Sequence, residues 1–290
     1  MLNGRAFPLL IGRGPWATTV KNALDVQDDV MAVKQVGSDW RDTDLDGIDC
    51  VVIACRADVH GEIAEYMICH GMPCFIEKPV AISAREVDRL MTVAAAQNGL
   101  PICVDHTLLF SRAYEEMKRR IGADDIARVT IEVANAGPWR PECSPLWDYG
   151  PHAVAVAVDL LGVKPDWIVP KVDTTGPSSL YTVKMGWTGD QVAHVAELRF
   201  GNASKTRARG VEVMVGRGIR ETRYVFHDVG EQRLWVDGDE AHVPVDAPPL
   251  ARALRVFLAA VCRGTQDPRL GLDDAYEVTR LLERFAELLK

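Results

Sequence analysis

Phe7-Pro-Leu-Leu-Ile-Gly-Arg-Gly-Pro-Trp-Ala17 is the stretch that decides the fold. Its apolar start, Phe7 to Ile11, reads as a buried strand, and Gly12-Arg13-Gly14 ends that strand before a helix predicted over Trp16 to Leu24. At a turn of this kind the first glycine permits the tight bend, and the second lets the backbone approach a pyrophosphate. The third small position of the pattern falls on Ala17. Alone, a G-x-G pair is a weak signal, because any sharp turn uses glycine. Its value comes from its place in the first turn of an α/β alternation.

Outward from this turn the chain alternates short apolar runs with helical patterns, as a parallel sheet does. Strands are predicted over Val30 to Val36, Cys50 to Cys55, Pro73 to Ile76 and Pro101 to Val104. The run Cys-Val-Val-Ile-Ala-Cys is apolar throughout, as a strand covered on both faces should be. Helices are predicted over His60 to His70 and Ser83 to Asn98, the latter with Val87, Leu90, Met91 and Ala94 at helical spacing. These units predict a doubly wound, Rossmann-type α/β domain over residues 1–122.

Beyond residue 122 the pattern changes. Ala127 to Ala134, Ser179 to Trp187, Gln191 to Phe200, Gly210 to Val215 and Thr222 to His227 read as strands. Tyr181, Val183 and Met185, then Val192, His194, Ala196, Leu198 and Phe200, repeat every second residue. That predicts a large, mostly antiparallel, open-faced sheet with one covered side, in an α+β domain over 123–290. Helices are predicted over Pro151 to Leu161, Leu250 to Val261 and Asp273 to Leu289. The last two are free to pack back on the first domain.

Composition bounds the function. A chain of 290 residues is about twice a typical domain, so two domains are expected. With 48% apolar and 26% charged residues it reads as an ordinary soluble globular protein. The net charge of −8 gives no broad basic footprint, and no basic helix stands beside aromatics, so nucleic acid is not an expected partner. No membrane span or signal peptide is read in the N-terminal stretch. The seven cysteines (50, 55, 69, 74, 103, 143 and 262) have neither framework nor zinc spacing. Reduced thiols, a cytoplasmic location and no metal are the expectation.

Several residues could carry chemistry. Strand two should end near an Asp or Glu that grips ribose hydroxyls, yet the chain has Lys34-Gln35-Val36. A basic residue at that edge suits the 2′-phosphate of NADP better than NAD, with a solvent-facing Lys34 as the plain alternative. Glu77-Lys78-Pro79 follows an apolar strand at the carboxyl edge, where ligands of parallel sheets sit. A charged, solvated turn would look the same. Asp148-Tyr149-Gly150-Pro151-His152 precedes an apolar helix. Pro151 is suited to the first helical turn, which would put His152 near the helix start and favour its neutral form. The alternative has Asp148 as a helix cap and His152 bonded locally. His106, Arg56, His60 and Trp16 are further candidates, each with an ordinary structural reading beside the functional one.

In this order and spacing the motifs resemble the glucose-fructose oxidoreductase / inositol dehydrogenase (Gfo/Idh/MocA) family. The resemblance rests on Gly12-x-Gly14, Ile48 to Cys55 with His60, Glu77-Lys78-Pro79, Asp105-His106, Asp148-x-Gly150-x-His152 and Leu160-Leu161-Gly162. It implies an NAD(P)-dependent dehydrogenase acting on a CH–OH group of a sugar, polyol or related cyclic substrate. Lys78, Asp148 and His152 would be catalytic, with His152 as general acid/base. Gly12, Arg13, Gly14, Trp16, Lys34, Cys55, Arg56, His60, Glu77 and Lys78 would bind NADP or NAD. His106, Trp147, Asp148 and His152 would meet the substrate. A homodimer or homotetramer through the outer face of the second-domain sheet is also implied. The chain departs from the family pattern in four further places. Ala155 stands where an acidic residue is usual, Cys55-Arg56 replaces Thr-Pro, Gly37 to Thr43 leaves little room for the usual helix, and the compact segment Gly137 to Trp147 implies an unusual substrate pocket. The runner-up is a ligand-sensing or scaffold protein that keeps the fold without turnover.

Overall fold

The computed structural model describes residues 4–122, 126–137, 139–162, 164–175, 177–188, 193–216 and 221–290. The chain divides into two compact units. One takes in residues up to Asp105 with Ala247–Thr279, the other His106–Asp246 with Arg280–Lys290.

The first unit is built on strands β1 (Pro8–Ile11), β2 (Lys34–Val36), β3 (Cys50–Ile53), β4 (Cys74–Ile76) and β5 (Ile102–Val104). They form one parallel sheet in the order β2-β1-β3-β4-β5. Helices α1 (Pro15–Asp25), α2 (His60–Cys69) and α3 (Ala84–Ala95) connect them. Every residue of β1 and β3 is buried, which is why these runs carry no polar alternation. One sheet face packs Leu9, Ile11, Val51 and Ile53 against Ile63 and Met67 of α2 and Val87 and Leu90 of α3. On α6 (Pro249–Arg263), Phe257 sets its ring edge-on to Phe75 of β4 at 5.8 Å. Strand order reverses between β1 and β3, and in such sheets ligands bind beyond the carboxyl ends at that point.

The second strand is Lys34–Val36, not Val30 to Val36; Val30 makes only an isolated bridge to Ala6. Met31 and Ala32 are exposed, so this apolar run is not buried between layers. Between β2 and β3 a single 3₁₀ turn, Trp40–Asp42, stands where the usual helix would be. Trp40 fills the space: it is buried, packs edge-on to Tyr66 at 5.2 Å, and is covered by the Arg41 guanidinium at 4.4 Å.

The second unit begins with α4 (Arg112–Ile121) and β6 (Ile126–Ala134), followed by α5 (Pro145–Leu161). Strands β7 (Trp167–Thr175), β8 (Ser178–Thr188), β9 (Ala193–Gly201), β10 (Ala208–Val215), β11 (Thr222–Val229), β12 (Glu231–Val236) and β13 (Asp239–Ala241) complete it. With β6 they make an eight-stranded sheet, β13-β12-β11-β10-β6-β9-β8-β7, antiparallel except where β6 meets β9. Alternate residues such as Ile131, Val183, Leu198, Phe200, Val213 and Phe226 are buried on one face. The opposite face carries cross-strand ion pairs, Arg199–Glu132, Lys184–Glu197 and Arg223–Glu212. The final helix, α7 (Asp273–Leu288), belongs to the first unit through Thr279 and to the second from Arg280.

The sheet carries strands that the periodicity did not reveal. β7 holds Pro170 and exposes Val169, as an edge strand allows but a covered one would not. β12 and β13 form a hairpin through Asp237-Gly238, both at positive φ, the sequence signature of a two-residue turn. The ninth strand starts at Ala193; Gln191 and Val192 lie outside the described residues.

The apolar helix begins six residues before Pro151, at Pro145, with Ser144 as the cap position. Pro145 thus takes the first helical place that suits proline, and Pro151 lies inside the helix. There it withholds a donor from the Trp147 carbonyl. His152 is therefore well into the helix and not at its start, and a dipole effect confined to the first turn does not reach it.

Candidate active site

At the switch point of the first unit, the turn after β1 has the form a nucleotide needs. Gly12 has φ +144°, and a Cβ there would lie 2.2 Å from the Ala54 carbonyl oxygen. Only glycine lets β1 and the end of β3 approach so closely. Gly12 N–H donates to Val36 (3.0 Å), and Gln35 Nε2 donates to the Gly12 carbonyl (2.8 Å), fastening the turn to β2. Gly14 caps α1 in extended backbone, and a Cβ there would meet nothing within 4 Å. Pro15 occupies the first helical turn, so the free donors of the helix start begin at Trp16, whose side chain is about half exposed.

Arg13 reaches over Gly37, whose added Cβ would sit 3.2 Å from the Arg13 side chain, and lies 3.8 Å from Asp39. The Asp39 carboxylate accepts the Gly37 N–H at 2.9 Å. Backbone hydrogen bonds, Gly37's first, with Arg13 adding to them, hold Asp39 below the ordinary carboxylate value. Lys34 is elsewhere: it opens β2, the end opposite the ligand edge, and its ammonium donates to the Asp44 carbonyl at 3.1 Å. The charged pair at the carboxyl end of β2 is therefore Arg13 with Asp39, neither of which lies on strand two itself.

Beyond β3, Arg56 is exposed and forks onto Asp58 at 3.0 and 2.5 Å. Burial pushes the Cys55 thiol up to about 11, so it is protonated at neutral pH. His60 is buried, with Nδ1 2.9 Å from the Pro79 carbonyl and Nε2 3.2 Å from that of Cys55. It braces the loop that holds Glu77 and Lys78 and does not present its ring to solvent. The Lys78–Pro79 peptide is cis, and Lys78 is partly exposed. Glu77 and Asp105 follow the neighbouring strands β4 and β5 and are both buried. Burial and the adjacent Asp105 push Glu77 well above the ordinary carboxylate range, against smaller opposing contributions from Trp16 and Lys78.

In the second unit, α5 sets Asp148 and His152 one turn apart on the same helical face. Asp148 stands in the first turn, and Nη1 of Arg140 lies 3.1 and 3.0 Å from its two oxygens. Tyr149 donates to Asn135 at 2.7 Å. Trp147 and His152 are partly exposed, and His106 is buried just before the 3₁₀ turn Thr107–Phe110. Nothing in the sequence marks Arg140, whose spacing eight residues before Asp148 carries no periodic signal. Among the described residues no group of three His, Cys, Asp or Glu side chains gathers to hold a metal ion, and no described helix is long and apolar enough to cross a membrane.

A Rossmann-like parallel sheet with a glycine turn at its switch point, followed by a second, mostly antiparallel sheet, defines a two-domain dinucleotide-fold class. Residues 16–106 match the Gfo/Idh/MocA family model, described as an oxidoreductase family with an NAD-binding Rossmann fold. The first, Rossmann-like part of the chain thus matches the family that its motifs resemble. It is 26% identical to scyllo-inositol 2-dehydrogenase (NAD(+)) of Bacillus subtilis (strain 168) over 113 residues. That alignment spans 39% of this chain and 32% of the relative. Aldose-aldose oxidoreductase from Caulobacter crescentus, complexed with glycerol, superposes with a TM-score of 0.83 at 14% identity, covering 98% of this chain and 97% of that one. UDP-N-acetylglucosamine 3-dehydrogenase from Acidithiobacillus ferrooxidans gives 0.78 at 17% identity, covering 98% of both chains. At these identities the two solved structures speak for the fold.

Proposed function

We propose that this chain is an NAD(P)-dependent oxidoreductase that moves a hydride between nicotinamide C4 and a secondary alcohol or ketone of a sugar, polyol or related cyclic substrate. The observation that carries the reading is the turn from β1 into α1. Gly12 has no room for a side chain, while Gly14 faces open space at a helix start. That arrangement fits a pyrophosphate. The names of the relatives, an inositol dehydrogenase and an aldose oxidoreductase, support the sugar or polyol class.

When bound, the nicotinamide cofactor would supply or accept the hydride. Gly14 and the amides of the α1 start would hold it, with Arg13, Trp16, Cys55 and Arg56 along its edge. Lys78 places a positive charge where the substrate oxygen becomes negative, stabilising the transition state and not merely the bound substrate. Asp148 accepts a substrate hydroxyl and orients it, and His152 takes or returns the hydroxyl proton. NADP is the favoured cofactor, on the exposed Arg13 guanidinium at the end of β2 in place of Lys34. A cytoplasmic homodimer or homotetramer, paired through the open face of the eight-stranded sheet, completes the proposal.

The test is a fluorescence titration of purified, cofactor-stripped protein with NADH and NADPH, followed by a sugar and polyol screen with the tighter one. Micromolar binding and turnover of a cyclic alcohol are expected. Binding of neither cofactor at ~1 mM points instead to the ligand-sensing or scaffold role.

A further inference from the structure

Between β6 and α5, Asn135 and Arg140 each bond to the helix. Tyr149 donates to Asn135 at 2.7 Å, and a Cβ on Gly137 would fall 2.1 Å from the Tyr149 hydroxyl, so the backbone lies directly on that pair. Farther along, Arg140 bonds Asp148. The guanidinium uses only Nη1 for this, shared between both carboxylate oxygens. Among the described residues, Nε and Nη2 are not engaged, and the side chain remains 48% exposed while Asp148 is 12% exposed. Asp148 also lies in the first turn of α5, where the helix start favours an anion without help from Arg140. The arginine's charge is therefore only partly spent on its partner. The preceding residue, Trp139, is 53% exposed.

A guanidinium that is held at one nitrogen and open along its other edge suits two parallel N–H bonds to a carboxylate or phosphate. Because Arg140 is already bonded to Asp148, little of its side-chain freedom is lost when such a group binds. We infer that Arg140 reads an anionic group on the substrate, and that the substrate class is a sugar or polyol bearing a carboxylate or a phosphate. This rests on the dehydrogenase reading and narrows it. The half-exposed Trp139 offers the apolar C–H face of such a sugar a surface to stack on. Asp148 and His152 remain the groups for the hydroxyl.

The test compares three pyranoses of one skeleton, glucose, glucuronate and glucose 6-phosphate, at constant ionic strength. Binding is followed by tryptophan fluorescence or calorimetry, and turnover by nicotinamide absorbance, for wild type, Arg140→Met and Arg140→Lys. At least one of the two anions should bind wild type about tenfold or more tighter than glucose, the scale of one charge-assisted contact. Which anion wins separates a carboxylate from a phosphate substrate. Arg140→Met should erase the preference by raising KM for the anion with kcat changed less, and Arg140→Lys should restore part of it. Equal or absent binding of all three, or an equal loss for glucose and the anions in Arg140→Met, overturns the inference. An anion preference without turnover of any sugar sinks the dehydrogenase reading and leaves the assignment of Arg140; turnover confined to the neutral sugar does the reverse.

Discussion

The imidazole of His60 stands between two backbone carbonyls, 2.9 Å from Pro79 and 3.2 Å from Cys55. It ties the end of β3 to the loop that carries Glu77 and Lys78, so its first effect is on the position of Lys78. Burial, offset in part by those carbonyls, holds its pKa below the ordinary 6.5. The unfolded chain then binds the proton more readily than the folded one. His60 thus contributes full stability above 6.5, and that contribution is lost as pH falls through its folded value. His60→Phe removes the one N–H that the neutral ring donates to these carbonyls and should cost about 1–3 kcal/mol at pH 7.5. Its deficit relative to wild type should shrink by pH 5.5, read from urea denaturation at both pH values. A deficit independent of pH would show that His60 does not titrate with folding.

Much of this architecture was legible in the chain because the relevant runs are buried on both sides or strictly alternate. Cys50–Ile53 and the pairs Val183/Met185 and Leu198/Phe200 needed no partner to be recognised. What escaped depended on contacts distant in sequence. Arg13 and Asp39 meet only because the glycine turn folds over Gly37, and Arg140 reaches Asp148 only through the loop that Tyr149 anchors. The helix start falls six residues earlier than its motif suggests, because Pro145 takes the first helical place that Pro151 also suits and Pro151 is carried inside the helix. Asp237-Gly238 was a readable hairpin signal hidden in a polar stretch.

The two glycines of the first turn should separate folding from binding. Gly12→Ala puts a methyl 2.2 Å from a backbone carbonyl at φ +144°, and neither β1 nor β3 can yield cheaply. A loss of about 3 kcal/mol or more, or insoluble protein, is expected. Gly14→Ala meets open space at φ −76° and should cost only about 1 kcal/mol, the usual penalty of alanine at a helix cap. Its effect should fall on the cofactor, with NADPH affinity down about tenfold or more while the melting temperature barely moves. Unchanged affinity in Gly14→Ala would remove the pyrophosphate from this turn.

Glu77 should give the opposite pH signature to His60. Burial, then the neighbouring Asp105, raises its folded pKa well above 4.5, so the folded state holds the proton that the unfolded state releases. Its protonated form stabilises the fold, and stability is lost as pH rises from 4.5 toward the folded value. Glu77→Gln keeps the shape of a neutral carboxyl without the titration. Relative to wild type it should gain stability as pH rises from 5 into the neutral range in thermal melts. A variant that tracks wild type across that range would mean that Glu77 is already ionised in the folded protein.

Lys78 is the residue on which the proposed chemistry turns. It follows Glu77 at the carboxyl edge of the parallel sheet, and His60 holds the Pro79 carbonyl beside it. If its charge meets the substrate oxygen only as that oxygen becomes negative, removing it should slow the chemical step far more than it weakens cofactor binding. Lys78→Ala should lower kcat by about 10²–10³, the usual loss when one charge-stabilising group is taken from a transition state. NADPH affinity should change by no more than about threefold in the same fluorescence titration, and Lys78→Arg, which restores charge without the same shape, should recover part of kcat. Wild-type turnover in Lys78→Ala would take the lysine out of the reaction. A fall in cofactor affinity as large as the fall in kcat would make it a binding residue only.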